Sequence, residues 1–427
     1  MMKDFMMIWA GNLVSSVGSG MTAFAVAVYV YQGTGSATWV SIATLLAYLP
    51  TILLSPVGGI LADRYDRRLM MICGDSLSVI GLLVIFFSVQ TGDFGIPAVL
   101  LGVTISSIFG SLLGPAYKAT VTDLLTEEQY AKASGMIQIS GASKYLLSPF
   151  LAGIILSFSD IKVILLIDMA TVFVTVVAVA LVRKHIPAVK KAADDFNFFR
   201  EFNQGMKSIT ANKGVSSLVW LMAFMCFFVA FIQTLMAPML LAFTDAKTLG
   251  FIESVSAVGM LVGSIIIGIF NIKYNFPKIL TISLMAAGVF MAMTGTTTNV
   301  RLITVFCFLF FMALPFINTC ADVLIRRRIP NELQGRAWGM ISVLTQVGYI
   351  VAYAGCGLLA DYFFAPMLME DGILARSIGQ WIGTGEGRGI GFMLMITGIS
   401  MFGLAFVFGS TKSITEMRGT ANEVDVS

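Results

Sequence analysis

The 427-residue sequence is poor in charge, since only 12% of its residues are Asp, Glu, Lys or Arg. Ordinary soluble proteins carry about 25% charged residues and about 45–50% apolar ones. Here 57% of the residues are hydrophobic and the mean hydropathy is +0.88, which a water-soluble fold of this size cannot accommodate. The shortage of charge excludes a soluble enzyme, a disordered chain and a secreted disulfide scaffold.

Histidine and cysteine are also scarce. The single histidine, His185, stands among basic residues at the end of a hydrophobic stretch, and the five cysteines form no C-x-x-C pair. Zinc and disulfide chemistry need clustered ligands, so we expect neither a metal site nor a cofactor. Because the sequence shows no nucleophile–base pair either, we expect a protein that is not an enzyme.

Long apolar stretches, in contrast, are abundant. A transmembrane helix takes about 20 mostly apolar residues, and twelve such stretches occur, at 5–31, 37–61, 69–90, 95–119, 131–157, 162–184, 214–243, 248–270, 277–298, 302–325, 336–363 and 390–410. The sequence therefore predicts an all-α membrane protein with twelve transmembrane helices in two six-helix pseudo-repeats. We expect an N-terminal bundle over 1–185, a cytoplasmic linker over 186–213 and a C-terminal bundle over 214–427.

Lysine and arginine set the predicted orientation. With the N-terminus in the cytoplasm, 21 of them fall in inner segments and 5 in outer ones, and twelve crossings return the C-terminus to the cytoplasm. In the linker, one helical face would carry Phe196, Phe199, Phe202, Met206 and Ile209. This pattern predicts either an amphipathic helix on the cytoplasmic leaflet or a packed linker helix.

The two halves retain a trace of duplication. Residues 126–155 align with 330–359 without a gap, and Gly135-Met136-Ile137 falls on Gly339-Met340-Ile341. Both segments lead into an apolar stretch at equivalent places of the two halves. Six-helix repeats in parallel are the architecture of rocking transporters whose substrate site lies between the halves.

A charged motif follows the second apolar stretch and reads Gly59-Ile-Leu-Ala-Asp63-Arg64-Tyr-Asp66-Arg67-Arg68. It resembles the G-x-x-x-D-R-x-G-R-R signature of the major facilitator superfamily, with Asp66 in place of the second glycine. The resemblance implies a conformational latch in which Asp63 faces the start of the eleventh helix and Arg67 pairs with Asp123. The positive-inside rule alone explains the arginines but not the glycine–aspartate spacing.

A second motif lies in the fifth stretch and reads Ser148-Pro149-Phe-Leu-Ala152-Gly153. It is similar to the G-P-x-x-G-G antiporter signature, and an ordinary proline kink is the competing interpretation. Over nearly its whole length the chain resembles the bacterial macrolide-efflux branch of the superfamily. That resemblance rests on Trp9-Ala-Gly-Asn12 with Gly18-Ser19, on Leu249-Gly-Phe-Ile-Glu253-Ser, and on Pro366-Met-Leu with the glycine-rich run 383–390.

Ionisable residues inside apolar stretches need a reason, because each costs about 2.5–3.5 kcal/mol at the centre of a helix. Lys144, Asp168, Glu253 and Asp75 occupy such positions. One hypothesis is that Glu253 or Asp168 exchanges an outside proton for a cationic substrate while Lys144 tunes the acid. The competing hypothesis is a static ion pair through which Lys144 holds the fifth helix in place.

By resemblance to the family, the first, fourth, seventh and tenth helices line the substrate cavity. Together with the fifth and eleventh helices they supply the candidate substrate contacts Asn12, Ser106, Gln138, Gln233, Asn318, Gln346 and Tyr349. Such a lining suits a bulky amphipathic molecule.

We therefore expect a monomeric exporter of macrolide-type compounds in the bacterial cytoplasmic membrane. The expected energy source is proton antiport, and no cofactor or nucleic-acid partner is expected. The alternatives are export of a siderophore or a lysophospholipid on the same fold, and a non-transporting membrane receptor or partner subunit.

The predicted orientation can be tested with reporter fusions. Alkaline phosphatase is active only outside the cytoplasm, so we expect a fusion after Lys412 to be inactive and a fusion after Arg376, in the last outer loop, to be active. Green fluorescent protein at the same two positions should give the reverse pattern. Phosphatase activity of the fusion after Lys412 would show that the orientation is wrong.

Overall fold

The computed structural model describes residues 2–91, 95–182, 206–207, 209–210, 213–270, 275–329 and 331–410. These residues are mostly helical, and no strand occurs among them. Twelve helical segments are long and apolar enough to cross a membrane, which confirms the predicted all-α membrane fold with twelve spans. The amphipathic helix predicted in the linker falls almost entirely outside the described residues.

Eight helices form the described part of the N-terminal half. They are α1 (Met2–Thr34), α2 (Ala37–Arg64), α3 (Arg67–Gln90), α4 (Ile96–Gly110), α5 (Leu113–Leu124), α6 (Glu127–Leu146), α7 (Ser148–Leu156) and α8 (Ile161–Val182). The fourth predicted stretch is thus divided into α4 and α5, and the fifth into α6 and α7. Pro115 and Pro149 explain both breaks, because proline lacks an N–H group and its ring clashes with the carbonyl four residues earlier.

The C-terminal half has six long helices in its described part. They are α9 (Lys213–Leu241), α10 (Ala246–Phe270), α11 (Phe276–Thr296), α12 (Val300–Arg326), α13 (Asn331–Leu359) and α14 (Arg388–Ser410). Pro238 and Pro315 lie inside α9 and α12, which continue through them. Helix α13 passes into a short π-helical segment, Ala360–Phe364.

The chain forms two compact units. The N-terminal unit comprises Met1–Asp194 together with Thr244–Ser254, and the C-terminal unit comprises Asp195–Phe243 together with Val255–Ser427. The first turns of α10 therefore belong to the N-terminal unit. The domain boundaries expected from the sequence, at 185 and 213, stay a prediction.

Inside the N-terminal unit, α1 packs along α8, and α3 packs against both α4 and α8. Buried apolar side chains that include Phe5, Met71 and Val179 fill the space between these helices. Glycine lets α3 approach α4, since a β-carbon on Gly81 would lie 2.6 Å from the backbone nitrogen of Ser106. Within lipid, close backbone packing of this kind is a main source of helix association.

In the C-terminal unit, α11 and α14 pack along each other. A buried arginine, Arg388, joins their ends: it donates to the carbonyl of Gly295 at 3.0 Å and to that of Thr297 at 3.2 Å. These carbonyls stand at the end of α11, where the helix dipole is negative. Arg388 therefore stabilises the C-terminus of α11 from the first turn of α14.

The segment between α13 and α14 is held by its own hydrogen bonds. Gly385 donates its backbone N–H to the carbonyl of Leu368 at 2.9 Å, and Leu368 is fully buried. Gly383, Gly385 and Gly387 have φ angles of 92°, 104° and 77°, which side chains other than glycine rarely adopt. The glycine-rich run is explained by the backbone of this loop.

The contact between α11 and α14 can be tested by filling it. Gly398→Val is expected to lower the unfolding temperature of the detergent-purified protein, because its β-carbon would collide with backbone atoms of Gly288 and Ala292. Overpacking of this kind costs about 1–3 kcal/mol. Gly403→Val, on the same helix, is the matched control, since nothing lies within 4 Å of a β-carbon there. Equal unfolding temperatures would contradict the close contact.

Candidate functional site

The most developed polar cluster within the membrane-spanning helices surrounds Asp168 of α8, which is 2% exposed. The Thr22 hydroxyl of α1 donates to Asp168 Oδ2 at 2.6 Å. The Ser19 hydroxyl lies 3.5 Å from Asp168 Oδ1. The Thr171 hydroxyl donates mainly to the backbone carbonyl of Asp168 at 2.8 Å and lies 3.5 Å from Oδ1. A buried charge without partners is costly, and these hydroxyls supply the partners.

Glycines in α1 bring its backbone against α8. A β-carbon on Gly18 would lie 2.8 Å from Asp168 Oδ1, so a larger residue would displace the carboxyl group. Further along α1, the Thr175 hydroxyl donates to the carbonyl of Gly11 at 3.0 Å. Gly11, Gly18 and Thr22 are spaced by seven and four residues and share one helical face. Sequence reasoning missed the hydroxyls, although this spacing was a signal for them.

Lys144 lies in the last turn of α6 and its side chain is exposed. Its positive charge acts on Asp168, which brings together two of the three predicted coupling residues. Lys144 forms no ion pair within the part of the chain that the structure describes. The hypothesis of a tuning cation and the hypothesis of a static pair both remain predictions.

The break that follows Lys144 is anchored to α1. The Ser148 hydroxyl donates to the carbonyl of Val17 at 2.9 Å, and a β-carbon on Gly20 would lie 2.9 Å from the carbonyl oxygen of Lys144. The serine that departs from the antiporter signature thus binds the helix that carries Ser19 and Thr22. This contact fixes the end of α6 next to the Asp168 cluster.

A cavity of about 370 Å³ lies at the ends of α1, α3, α7 and α8. Its walls include Ala25, Tyr29 and Gln32 of α1 and the ion pair between Asp160 and Lys162, whose charged atoms are 3.1 Å apart. Because Ala25 follows Thr22 by one helical turn, the cavity lies on the side of the Asp168 cluster that is predicted to face outside.

Glu253 has a different setting. It lies in α10, in the segment that belongs to the N-terminal unit, and is partly buried. Among the described residues, none forms a hydrogen bond or an ion pair with its carboxyl group. One turn earlier, a β-carbon on Gly250 would lie 3.3 Å from the α-carbon of Gly153. The structure therefore surrounds Asp168 with polar groups, whereas no hydrogen-bond or ion-pair partner of Glu253 occurs among the described residues.

Asp75 of α3 is a further carboxyl group of the N-terminal unit. It is 4% exposed, and its Oδ2 atom has no hydrogen-bond partner among the described residues. Asp75 lies within electrostatic range of the Asp168 carboxyl group, and α3 packs against α8. The sequence marks Asp75 as an intramembrane charge, but no sequence pattern indicates that it interacts with Asp168.

In the C-terminal unit, α9 and α13 present a joint polar and aromatic face. The Tyr353 hydroxyl donates to Gln233 Oε1 at 3.4 Å, and the ring centroids of Tyr349 and Tyr353 are 5.8 Å apart. Tyr349 also forms a hydrogen bond with the thiol of Cys226. Two predicted substrate contacts, Gln233 and Tyr349, are thus brought together through Tyr353.

The other predicted substrate contacts are dispersed over the two units. In the N-terminal unit Asn12 accepts a hydrogen bond from Ser16 at 3.5 Å, Ser106 is partly buried on α4, and Gln138 is exposed. In the C-terminal unit Asn318 is exposed, and the Oε1 atom of Gln346 is buried without a partner among the described residues. That these residues line a single cavity stays a prediction.

The residue that departs from the charged motif has a local explanation. Asp66 caps α3 by accepting a hydrogen bond from the backbone N–H of Arg68 at 3.0 Å, and aspartate is a favoured residue at this position. Arg67 Nε donates to the carbonyl of Ala62 at 3.0 Å, and Arg68 is buried. The predicted latch itself stays untested, because the described side chains do not include those of Gly59, Asp63, Arg64 and Asp123.

The twelve candidate spans and the carboxyl groups buried within them define an α-helical membrane protein with polar and ionisable groups in its interior. The family model of the Major Facilitator Superfamily matches residues 8–353, and the chain belongs to this family. It is therefore a multi-pass membrane transporter of small molecules, and the expectation that it is not an enzyme is confirmed.

Two curated relatives share a name. Macrolide efflux protein A of Streptococcus pyogenes is 26% identical over 361 residues, covering 84% of this chain and 89% of that protein. The protein of the same name from Enterococcus faecalis is 25% identical over 310 residues, covering 72% and 96%. The predicted resemblance to the macrolide-efflux branch is confirmed.

Among solved structures, the nucleoside transporter NupG is similar with a TM-score of 0.70 and 13% identity, over 96% of this chain and 100% of that chain. This similarity shows the fold alone.

The hydroxyl contact to Asp168 can be tested through stability. Thr22→Val removes the donor at nearly constant shape and is expected to lower the free energy of unfolding by about 1.5–3 kcal/mol, the range for a hydrogen bond to a charged group. Thr22→Ser keeps a hydroxyl donor and should retain most of the free energy of unfolding. Thr104→Val is the matched control, because the Thr104 hydroxyl bonds only a carbonyl of its own helix. The measurement is thermal unfolding in detergent. Equal unfolding temperatures of Thr22→Val and Thr104→Val would contradict the contact.

Proposed function

We propose that the protein exports bulky amphipathic cations of the macrolide type in exchange for protons. The observation that carries this proposal is the Asp168 cluster, a buried carboxyl group with three hydroxyls, a cation within electrostatic range and a cavity at one end. The names of the relatives support the substrate class. The alternating access that such exchange requires is part of the proposal.

The cluster suits both protonation states of Asp168. The carboxylate accepts the 2.6 Å hydrogen bond from Thr22 and interacts with the charge of Lys144. The carboxylic acid carries no charge and is tolerated at a buried position. A group that is stable in both states inside the membrane can bind and release a proton during each cycle.

The proton gradient supplies sufficient energy for such exchange. One charge moved through 100 mV is worth about 2.3 kcal/mol before any pH difference is added. The proposal therefore needs no cofactor. We place the protein in the cytoplasmic membrane as a monomer with both termini in the cytoplasm, and we retain the latch formed by the charged motif.

We favour Asp168 over Glu253 as the coupling residue. Glu253 has no hydrogen-bond donor among the described residues, so its ionised form lacks stabilisation at that position. Asp168 has donors, a nearby cation and a cavity toward the predicted outer side. Lys144 then acts as a tuning charge, since a cation next to a carboxylate favours the ionised form.

The face formed by Gln233, Tyr349 and Tyr353 supports an amphipathic substrate. Aromatic rings bury apolar surface and attract a cationic amine over their faces. The amide of Gln233 and the tyrosine hydroxyls provide the few polar contacts that fix orientation. We assign Gln233 and Tyr349 to substrate contact, and Tyr353, which is 1% exposed, holds the Gln233 amide in place.

The proposal is tested by uptake of radiolabelled erythromycin into inside-out membrane vesicles that contain the protein, because export appears there as uptake. We expect accumulation when the vesicles are energised and its loss when a proton uncoupler is added. Asp168→Asn should lower accumulation to the level seen with the uncoupler, since it removes the exchanged proton.

Two variants give the comparison its controls. Asp371→Asn, at an exposed acid in the segment between α13 and α14, should accumulate the label like the unchanged protein. Glu253→Gln should also accumulate the label normally. If Glu253→Gln loses accumulation while Asp168→Asn keeps it, the coupling residue is Glu253 and not Asp168. If a correctly folded protein gives no uptake of erythromycin, the macrolide assignment is wrong and siderophores or lysophospholipids take its place.

A further inference from the structure

Asp75 has no function in the exchange described above, yet it occupies a position where an ionised side chain has a high free-energy cost. It lies in a membrane-spanning helix, is 4% exposed, and has a carboxylate oxygen without a hydrogen-bond donor among the described residues. An ionised carboxyl group would lose its hydration there without compensation. Asp75 therefore holds a proton when the surrounding helices are packed as described.

Among the described side chains, few charged or titratable groups lie on the helices that pack against α3. Helix α4 contributes none over Ile96–Gly110, and α8 contributes Asp168. Helix α5 contributes the buried Tyr117 and the exposed Lys118. On α3 itself the nearest cation is Arg68, about two turns away. Of these groups, Asp168 is the one within electrostatic range of Asp75, and two interacting acids titrate as a pair.

The two acids lie at different depths. Asp168 follows Ile161 by seven residues, about 10 Å along α8, and Asp75 follows Arg67 by eight residues, about 12 Å along α3. Ile161 lines the outer cavity, whereas Arg67 stands at the end of α3 that is predicted to face the cytoplasm. Asp168 is therefore the acid nearer the predicted outer side, and Asp75 is the acid nearer the predicted cytoplasmic side.

We propose that Asp75 is a second proton-binding residue of this transporter, paired with Asp168, and that the two acids carry the proton through the N-terminal unit. This inference deepens the proposed function and rests on it. Asp168 takes up a proton through the outer cavity, Asp75 releases its own proton toward the Arg67 end, and the proton on Asp168 then moves to the Asp75 carboxylate. One proton crosses per cycle, and both acids return to their initial states.

The pairing is tested on the purified protein by infrared spectroscopy between pH 5 and pH 9. The unchanged protein is expected to show a carbonyl band of a protonated carboxylic acid that Asp75→Asn removes. Asp168→Asn should retain the band but move its pH dependence, because the neighbouring charge is gone. Asp371→Asn, at an exposed acid between α13 and α14, is the matched control and should change neither. A band that survives in Asp75→Asn and is unmoved by Asp168→Asn would overturn the pairing.

Transport gives the second readout. We expect Asp75→Asn to bind erythromycin but to lose the uncoupler-sensitive part of its accumulation in inside-out vesicles, and Asp75→Glu to recover it with a changed pH profile. Full accumulation by Asp75→Asn overturns the inference and leaves the proposed function intact. If the unchanged protein itself shows no uncoupler-sensitive uptake, the proposed function fails. The infrared result then decides alone whether the two acids form a pair.

If Asp75→Asn does not fold, Asp75→Glu and Asp168→Asn still decide the question. The glutamate variant keeps an acid at the site, so the carbonyl band should persist at a shifted frequency. An unshifted band in Asp75→Glu would assign it to another residue and overturn the proposal.

Discussion

The need to satisfy a buried carboxyl group without water determines how the N-terminal unit is built. Asp168 can lie inside the membrane only because Thr22 donates to it at 2.6 Å and Ser19 and Thr171 stand near its second oxygen. The two hydroxyls of α1, those of Thr22 and Ser19, reach it because Gly18 leaves room between α1 and α8. In a lipid environment neither the helix contact nor the charge is stable without the other.

The broken fifth span extends the same dependence to a third helix. Pro149 ends the regular hydrogen bonding of α6, and Ser148 fixes the break to the carbonyl of Val17 at 2.9 Å. This contact holds the end of α6, and with it Lys144, beside α1. A motif that sequence comparison relates to antiport is thus part of the structure that positions a cation near Asp168. The small residues after the proline serve a separate contact, with Gly250 of α10.

The sequence predicts the architecture well because hydrophobic stretches and basic loops are dictated by the bilayer itself. It also identifies Asp168, Glu253 and Lys144, because any charge in an apolar stretch is conspicuous. The sequence cannot show which of these residues is the best candidate for coupling, because that depends on hydrogen-bond partners more than a hundred residues away, such as Thr22. The interaction of Asp75 with Asp168 depends in the same way on the packing of α3 against α8. The replacement of the second motif glycine by Asp66 is explained only by the structure, in which Asp66 caps α3.

Proton release on substrate binding tests the role of Asp168 most directly. Calorimetric titration of the purified protein with erythromycin, in buffers of different ionisation enthalpy, reports the number of protons exchanged on binding without any need for a membrane gradient. The unchanged protein should release protons when the substrate binds, and Asp168→Asn should bind it without release. Equal proton release by both proteins would contradict the assignment of Asp168 as the residue that exchanges a proton for the substrate.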